Sequence, residues 1–427
     1  MLKIYEQSQV HELYKKQKNR MEGVFDGALA AAGQIIADVK TGGDEAVKFY
    51  TKKFDGADIE PEDFYMTEKE IGELCGRCDK NLIKIMEKAA RNLDEYHKKQ
   101  TQNSYVITKE GIILGQRVTP LERVAMYVPG GSAAYPSTLL MNAIPAKIAG
   151  VKETTIMTPP KKDGIKPEIA AAAKICGVDK ILKAGGAQAV AAVAYGTKTI
   201  QKTDKITGPG NIYVAAAKKL VYGTVDIDMI AGPSEILVIA DKSADAKYIA
   251  ADLLSQAEHD VLASSVLVTD SKELAGRVDA EIERQIKNLS RRDIIEKSLS
   301  EYGGCILCPG IDEAIKIANE IAPEHLELAI ENCFDKLDSV KNAGSVFLGG
   351  YSPEPLGDYF AGTNHVLPTN GTARFSSGLG VDSFVKKSSF VYYSKEKLEE
   401  AKDEITAFAE SEKLTAHANS IKVRFEA

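Results

Sequence analysis

No stretch of the chain stays apolar for the roughly 20 residues that a membrane helix needs, and the N-terminal MLKIYEQSQVHELYKKQKNR is charged where a secretion signal would be apolar. A membrane protein is excluded and a cytoplasmic location is expected. Six cysteines in 427 residues are too few for a disulfide scaffold. Cys75 and Cys78, and likewise Cys305 and Cys308, do have the CxxC spacing of a zinc site. The first pair sits in a helical pattern (EIGELCGRCDKNLIKIMEKAA) and the second brackets a strand (CILC), so no compact four-thiolate knuckle is evident and reduced structural cysteines are expected. Lys and Arg form no stripe but are scattered among acids in a chain of net charge -7, which leaves no electrostatic reason to bind nucleic acid. Nor does GxGxxG follow any strand, so the usual dinucleotide fingerprint is missing.

What is present is a globular composition, 44% hydrophobic and 27% charged, at a length that suggests two or three domains. Residues 1 to about 22 read as a charged amphipathic helix, an arm set apart from the rest. Helical periodicity runs through GALAAAGQIIADVK, breaks at Gly42 and Gly43, and resumes where Thr67 and Glu70 form a capping-box pattern. SYVIT and GIILGQRV alternate around Lys109, Glu110 and Gly111 as a hairpin that Pro120 closes. From VAMYV onward, strand, glycine turn and helix repeat, which implies a parallel sheet covered by helices over about 127–234. The alternation restarts at EILVIA and continues to SVFLG, a second lobe that the leading helices could complete, with the 127–234 lobe inserted. A Ser/Gly-rich stretch after about Arg374 leads to a mostly helical tail. The expected fold is α/β: two Rossmann-like lobes lacking GxGxxG, an N-terminal helical arm and a C-terminal tail. The expected domains are 1–22, 23–126 with 235–376, 127–234, and 377–427.

Six histidines allow each to be weighed singly. His11 and His97 lie among Lys and Glu and read as solvent-exposed. Gln256 and His259 in SQAEHD are three apart on a helix and share a face, as two ligands of one ion would; capping is the plainer alternative. In IAPEHLEL, Pro323 suits a first helical position, which puts Glu324 and His325 in a first turn at the mouth of a strand–helix connection. A carboxylate beside an imidazole is a pair fit to move protons, although dipole compensation and packing would explain it as well. GDYFAGTNHVLPT reads as a loop carrying Asp358 and His365, where Asp358 serves either a site or its own turn. LTAHANS places His417 on the tail helix, with Glu412 five residues earlier. The turns VPGGS, AGGAQ and TGPGN each open a helix and could offer backbone donors to a phosphate, or be ordinary turns.

Taken together, AGPSEILVIAD, SQAEHD, APEHLEL, GDYFAGTNHVLPT and LTAHANS, with the YVPGG, GGAQA and GPGN turns, resemble the histidinol dehydrogenase family in order and spacing over nearly the whole chain. The resemblance implies oxidation of L-histidinol through the aldehyde to L-histidine with two NAD. It implies one zinc ion per site on Gln256, His259, Asp358 and His417, a nitrogen and oxygen set without thiolate that is consistent with zinc. His325 is the implied general base and Glu324 the group that activates water for the aldehyde. Ser234 and Glu412 join the metal ligands and this pair as substrate contacts; Tyr127, Gln188 and Asn211 are the implied NAD contacts. His365 is left as a structural or supporting residue. The family is homodimeric, so the tail would carry Glu412 and His417 to the partner's site. A zinc-dependent amidohydrolase would explain the ligands but leave the 127–234 lobe idle, and a non-catalytic metal-binding protein would have no use for Glu324 and His325.

Overall fold

Runs such as EILVIA and SSVLVT hold consecutive aliphatic residues without polar alternation, which suits strands covered by helices on both faces. The computed structural model, which describes residues 2–20, 23–130, 134–162 and 164–426, has them fully buried in a parallel sheet. Gly131 of the YVPGG turn, and Met1, Met21 and Glu22 of the expected arm, lie outside the described residues. The chain divides into two compact units, Met1–Gln100 with Leu121–Phe384, and Thr101–Pro120 with Val385–Ala427.

The first unit holds two parallel sheets. Six strands lie in the order Ile4–Glu6, Gly304–Leu307, Ser264–Thr269, Glu235–Ala240, His325–Ala329 and Ser345–Leu348. Five more lie in the order Lys180–Leu182, Glu153–Met157, Arg123–Tyr127, Lys205–Thr207 and Asp226–Ile227. In the five-stranded sheet the chain starts at the inner strand Arg123–Tyr127, winds outward to one side and returns to fill the other; from Glu235–Ala240 onward the six-stranded sheet is built the same way, with Ile4–Glu6 already at its edge. The N-terminal segment is helical over Val10–Asn19, but Ile4–Glu6 also pairs with Cys305–Leu307. It is thus an edge of the six-stranded sheet and not an arm set apart.

The leading helices do not complete that sheet, as the sequence suggested. Val24–Asp55 buries Ala28, Ala32, Ile35, Ile36 and Val39 against the Gly186–Tyr195 and Ile212–Val221 helices, and Glu68–Cys75 and Lys80–Lys98 pack on the same five-stranded lobe. The reason is visible in Gly186–Tyr195, which is buried from Ala187 to Ala194; a helix apolar all round needs cover on its outer face too. The long first helix breaks at Gly43, whose φ of 54° is open to glycine, and Thr67 with Glu70 forms the expected capping box. His97, expected in solvent, is buried, with Nδ1 2.8 Å from Gln100 Oε1. All six cysteines are free.

Pro323 marks the end of a helix and not its start. Ile311–Ile321 closes on Ala322 in the left-handed conformation, and the chain enters the buried strand His325–Ala329. A proline just past a helix end cannot continue the helix; the following HLELA is apolar enough to be a central strand.

In the second unit, Val385–Tyr393, Ile112–Pro120 and Tyr105–Lys109 form an antiparallel sheet, followed by helices Lys395–Glu400, Lys402–Ser411 and Thr415–Lys422. The hairpin therefore groups with the tail and not with the main lobe, because nine residue pairs join it to Val385–Tyr393. Residues 377–384 remain in the first unit. Among the described residues of the second unit only Gly115 and Ala418 are buried.

A buried ion pair ties down the turn after Lys205–Thr207. Lys218 Nζ donates to the Gly208 carbonyl (3.0 Å) and meets Asp228, whose carboxylate also accepts from Gly208 N (2.7 Å) and Met229 N (2.6 Å). Lys218→Met leaves that carboxylate without its cation and is expected to lower the unfolding free energy by about 3–5 kcal/mol in a urea titration. Adding Asp228→Asn should return part of the loss.

Candidate active site

The pairing of Glu235–Ala240 with His325–Ala329 begins at Ile236 and His325, so the residues just before it, Ser234, Glu235 and Glu324, gather at the N-terminal edge of the sheet. Glu235 serves both of its neighbours through its backbone. Its N–H donates to Glu324 Oε2 (2.9 Å), and its carbonyl lies 3.0 Å from His325 Nδ1. A carbonyl only accepts, so Nδ1 carries the proton. His325 Nε2 is buried without a hydrogen-bond partner.

Across from Nε2, the helix Glu354–Tyr359 presents two carboxylates four residues apart on one face: Asp358 Oδ1 at 3.6 Å and Glu354 Oε1 at 3.9 Å. Asp358 is thus on a short helix and not in the expected loop. Glu354 was missed from the sequence, although its spacing from Asp358 behind Pro353, a helix-opening residue, was the available signal. Glu354 N donates to the buried Glu327 (2.8 Å), which anchors the helix to the central strand. His365 fixes Asp358 from the other side, Nδ1 to the Asp358 carbonyl (3.0 Å), while its Nε2 lies 3.3 Å from Thr138 Oγ1.

Burial pushes Glu324 up to about 7. Burial would push the His325 imidazolium down, but Glu324, Asp358 and Glu354 outweigh it and raise His325 to about 10. Asp358, despite burial, is held below the usual carboxylate range by His325 and His365, whereas burial and Asp358 push Glu354 up.

Gln256 occupies the last turn of Ala246–Ala257, buried, with Oε1 lacking a partner. His259 lies just past the helix end, not on the helix, and its N–H bonds the Gln256 carbonyl (3.2 Å). Both still line one cavity of about 240 Å³ with Ser234, Glu324, His325 and Asp358. The opposite wall is Pro129, Tyr135, Thr138, Pro209 and Gly210, from turns at the C-terminal edge of the five-stranded sheet.

Of the three expected NAD contacts, Tyr127 ends the strand Arg123–Tyr127, Gln188 lies in the first turn of the helix Gly186–Tyr195 and Asn211 precedes the helix Ile212–Val221; none lines this cavity. Tyr127, buried, accepts from Gly186 N through its hydroxyl (3.1 Å); Gln188 is buried with neither amide atom partnered; Asn211 caps Ile212–Val221 by accepting from Tyr213 N and Val214 N. Glu412 and His417 belong to the second unit, where both are exposed.

Among the described residues, His325, Glu354 and Asp358 place ligand atoms within 4.8 Å of one another. This trio shares only Asp358 with the expected ligand set. The buried negative excess and the unpartnered Gln256 oxygen nonetheless fit a hard or borderline divalent cation.

A family profile described as histidinol dehydrogenase matches residues 18–425. The chain is 54% identical over 422 residues to a histidinol dehydrogenase of Lactococcus lactis subsp. lactis, covering 98% of both chains. It is 59% identical over 394 residues to one of Clostridium acetobutylicum, covering 92% of this chain and 91% of the other. The crystal structure of histidinol dehydrogenase from Elizabethkingia anophelis aligns at a TM-score of 0.92 and 40% identity, over 99% of this chain and 98% of that one.

If the carboxylate cluster binds a cation, chelator-treated protein should gain about 2.7 kcal/mol of stability when zinc is restored at a hundred times its Kd. Asp358→Asn should abolish that gain; an equal rise of Tm in the variant would refute cation binding here.

Proposed function

The chain belongs to the histidinol dehydrogenase family, and we propose that its pocket around Glu324 and His325 oxidises L-histidinol through bound L-histidinaldehyde to L-histidine with two NAD. It is an oxidoreductase of histidine biosynthesis. The observation that carries the site reading is the Glu235 backbone, whose N–H bonds Glu324 and whose carbonyl meets His325 Nδ1, which leaves the Nε2 of the cavity-lining His325 without a partner.

When bound, NAD would accept one hydride in each oxidation, and zinc, held by Gln256, His259 and Asp358 with His417 from a second copy, would orient the substrate. His325 Nε2 takes the hydroxyl proton as hydride leaves the carbinol carbon, so that the C–O single bond becomes the aldehyde carbonyl. A cation held at Asp358 would offset the hold of Asp358 and Glu354 on the imidazolium, with Glu324 the carboxylate that remains beside it, and so would favour His325 as a neutral base. Glu324, its carboxyl near 7, takes a proton from the water that adds to the aldehyde. The resulting hydrate loses the second hydride and becomes the carboxylate. A cavity walled by two sheets retains the aldehyde between steps.

The 127–234 lobe is our candidate for NAD, through Tyr127, Gln188 and Asn211; the unpartnered Gln188 amide supports it, while the capping bonds of Asn211 are also a structural role. Ser234 and Glu412 are assigned to the substrate, the latter to its ammonium. We assign the second unit to a homodimer interface. With Val106 59%, Val391 69% and Phe408 71% exposed and almost nothing buried, that unit has apolar faces a second copy would cover. Glu412 and His417 would thereby complete the partner's site. A cytoplasmic location suits this biosynthetic role, and no helix among the described residues is long and apolar enough to cross a membrane.

Purified, zinc-loaded protein given L-histidinol and NAD should form two NADH per L-histidine; none at all would reject the activity. His325→Asn should mainly slow alcohol oxidation and Glu324→Gln mainly aldehyde oxidation. Equal losses in both half-reactions would reject that division. For shared sites, verified heterodimers of His259→Ala and His417→Ala chains should regain activity that neither variant has alone, and no recovery would exclude sharing.

A further inference from the structure

Arg20 caps the Val10–Asn19 helix and is buried, far along the chain from every residue that lines the cavity. Its Nη2 donates to Glu235 Oε1 (2.5 Å) and to the Pro233 carbonyl (3.0 Å), gripping the residue on each side of Ser234. Three residues earlier on the same helix, the buried Gln17 donates through Nε2 to Ser264 Oγ (2.6 Å), and Ser264 N donates to the Ser234 carbonyl (3.0 Å). Asn370 N completes the grip by donating to Glu235 Oε1 (3.2 Å).

We propose that Arg20 is a positioning residue of the active site: through the Glu235 side chain it holds the two peptide groups that flank the Glu235 Cα, one bonded to Glu324 and the other to His325. The inference rests on reading Glu324 and His325 as the proton-handling pair. Stability alone is a poor account of this ion pair. Buried pairs are commonly replaced by apolar residues without loss, and here Arg20 Nε and Nη1 and Glu235 Oε2 remain unpartnered, which weakens the pair further. What the pair does achieve is to fix the Glu235 residue, where two peptide groups meet at its Cα, at a strand start where the ladder with His325–Ala329 is only beginning. A shift of that Cα would disturb both the N–H donor to Glu324 and the carbonyl acceptor of His325 Nδ1.

The test uses full-length, zinc-loaded Arg20→Met and Arg20→Lys. In Arg20→Met both half-reactions should slow about 10- to 100-fold per folded molecule while the dissociation constants of L-histidinol and NAD stay within about threefold. Arg20→Lys, which keeps the charge on a shorter reach, should recover part of the rate. An independent readout needs no turnover: with ¹⁵N-labelled imidazoles, six histidines give a tractable spectrum. The His325 Nδ1–H signal, assigned by its loss in His325→Asn, should be sharp in the parent and broadened in Arg20→Met. Unchanged rates per folded molecule, or slower rates with an unchanged His325 signal, would overturn the proposal. If Arg20→Met does not fold, Arg20→Met with Glu235→Gln, which removes the unpaired buried carboxylate, takes its place under the same criteria. Should L-histidinol prove not to be a substrate, the imidazole spectrum still decides the positioning role.

Discussion

The backbone of Glu235 is the contact on which the rest of the site depends. The two peptide groups that meet at its Cα supply the N–H donor for Glu324 and the carbonyl acceptor for His325, so a shift of that one residue disturbs both the carboxyl and the imidazole. Because Nδ1 is committed to a carbonyl, Nε2 is the nitrogen of this cavity-lining residue left without a partner. The parallel pairing that follows, Ile236 with His325 onward, locks that arrangement to the centre of the six-stranded sheet.

The chemistry sits at an unusual edge of this sheet. Open α/β sheets ordinarily bind ligands at the C-terminal ends of their strands, where helix N-termini converge. The five-stranded lobe follows that pattern, with its turns at 127–130 and 207–211. The six-stranded lobe offers its N-terminal edge instead, and the cavity is walled by one edge of each kind. The turns of one lobe and the carboxylate–imidazole cluster of the other thus meet across a small volume.

The electrostatics tie the site to a cation. Glu324, Glu354 and Asp358 crowd one imidazole, with Glu327 buried behind Glu354 and Glu235 already paired with Arg20. Burying that many carboxyl groups is tolerable only if protons or metal share them. Burial and Asp358 push Glu354 up, and the surrounding carboxylates raise His325, so protons are held within the cluster. The Gln256 oxygen is buried without a partner in a residue that lines the same cavity.

The chain's segments were readable because their chemistry is local. The apolar strands, the Thr67 capping box, the Lys109–Gly111 hairpin and the family motifs each depend on residues a few positions apart, and these stood out in one dimension. Residues read one at a time were less secure. Pro323 opens helices and follows their ends with equal ease, so only the burial of His325–Ala329 in the sheet decided for a strand. GDYF looked like loop until Pro353 and the bond to Glu327 wound it into a helix, which brought in Glu354. The leading helices were matched to the wrong sheet because an amphipathic stripe says that a face is buried but not against what; the all-round apolar Gly186–Tyr195 helix supplied the partner. Sequence by itself determined the family, the alternation of strands and helices, and the residue types of the site. Tertiary structure alone decided which edges face one another, which nitrogen of His325 is free, and that Arg20, more than 200 residues away along the chain, reaches Glu235, because side-chain direction and desolvation exist only once the sheets have formed.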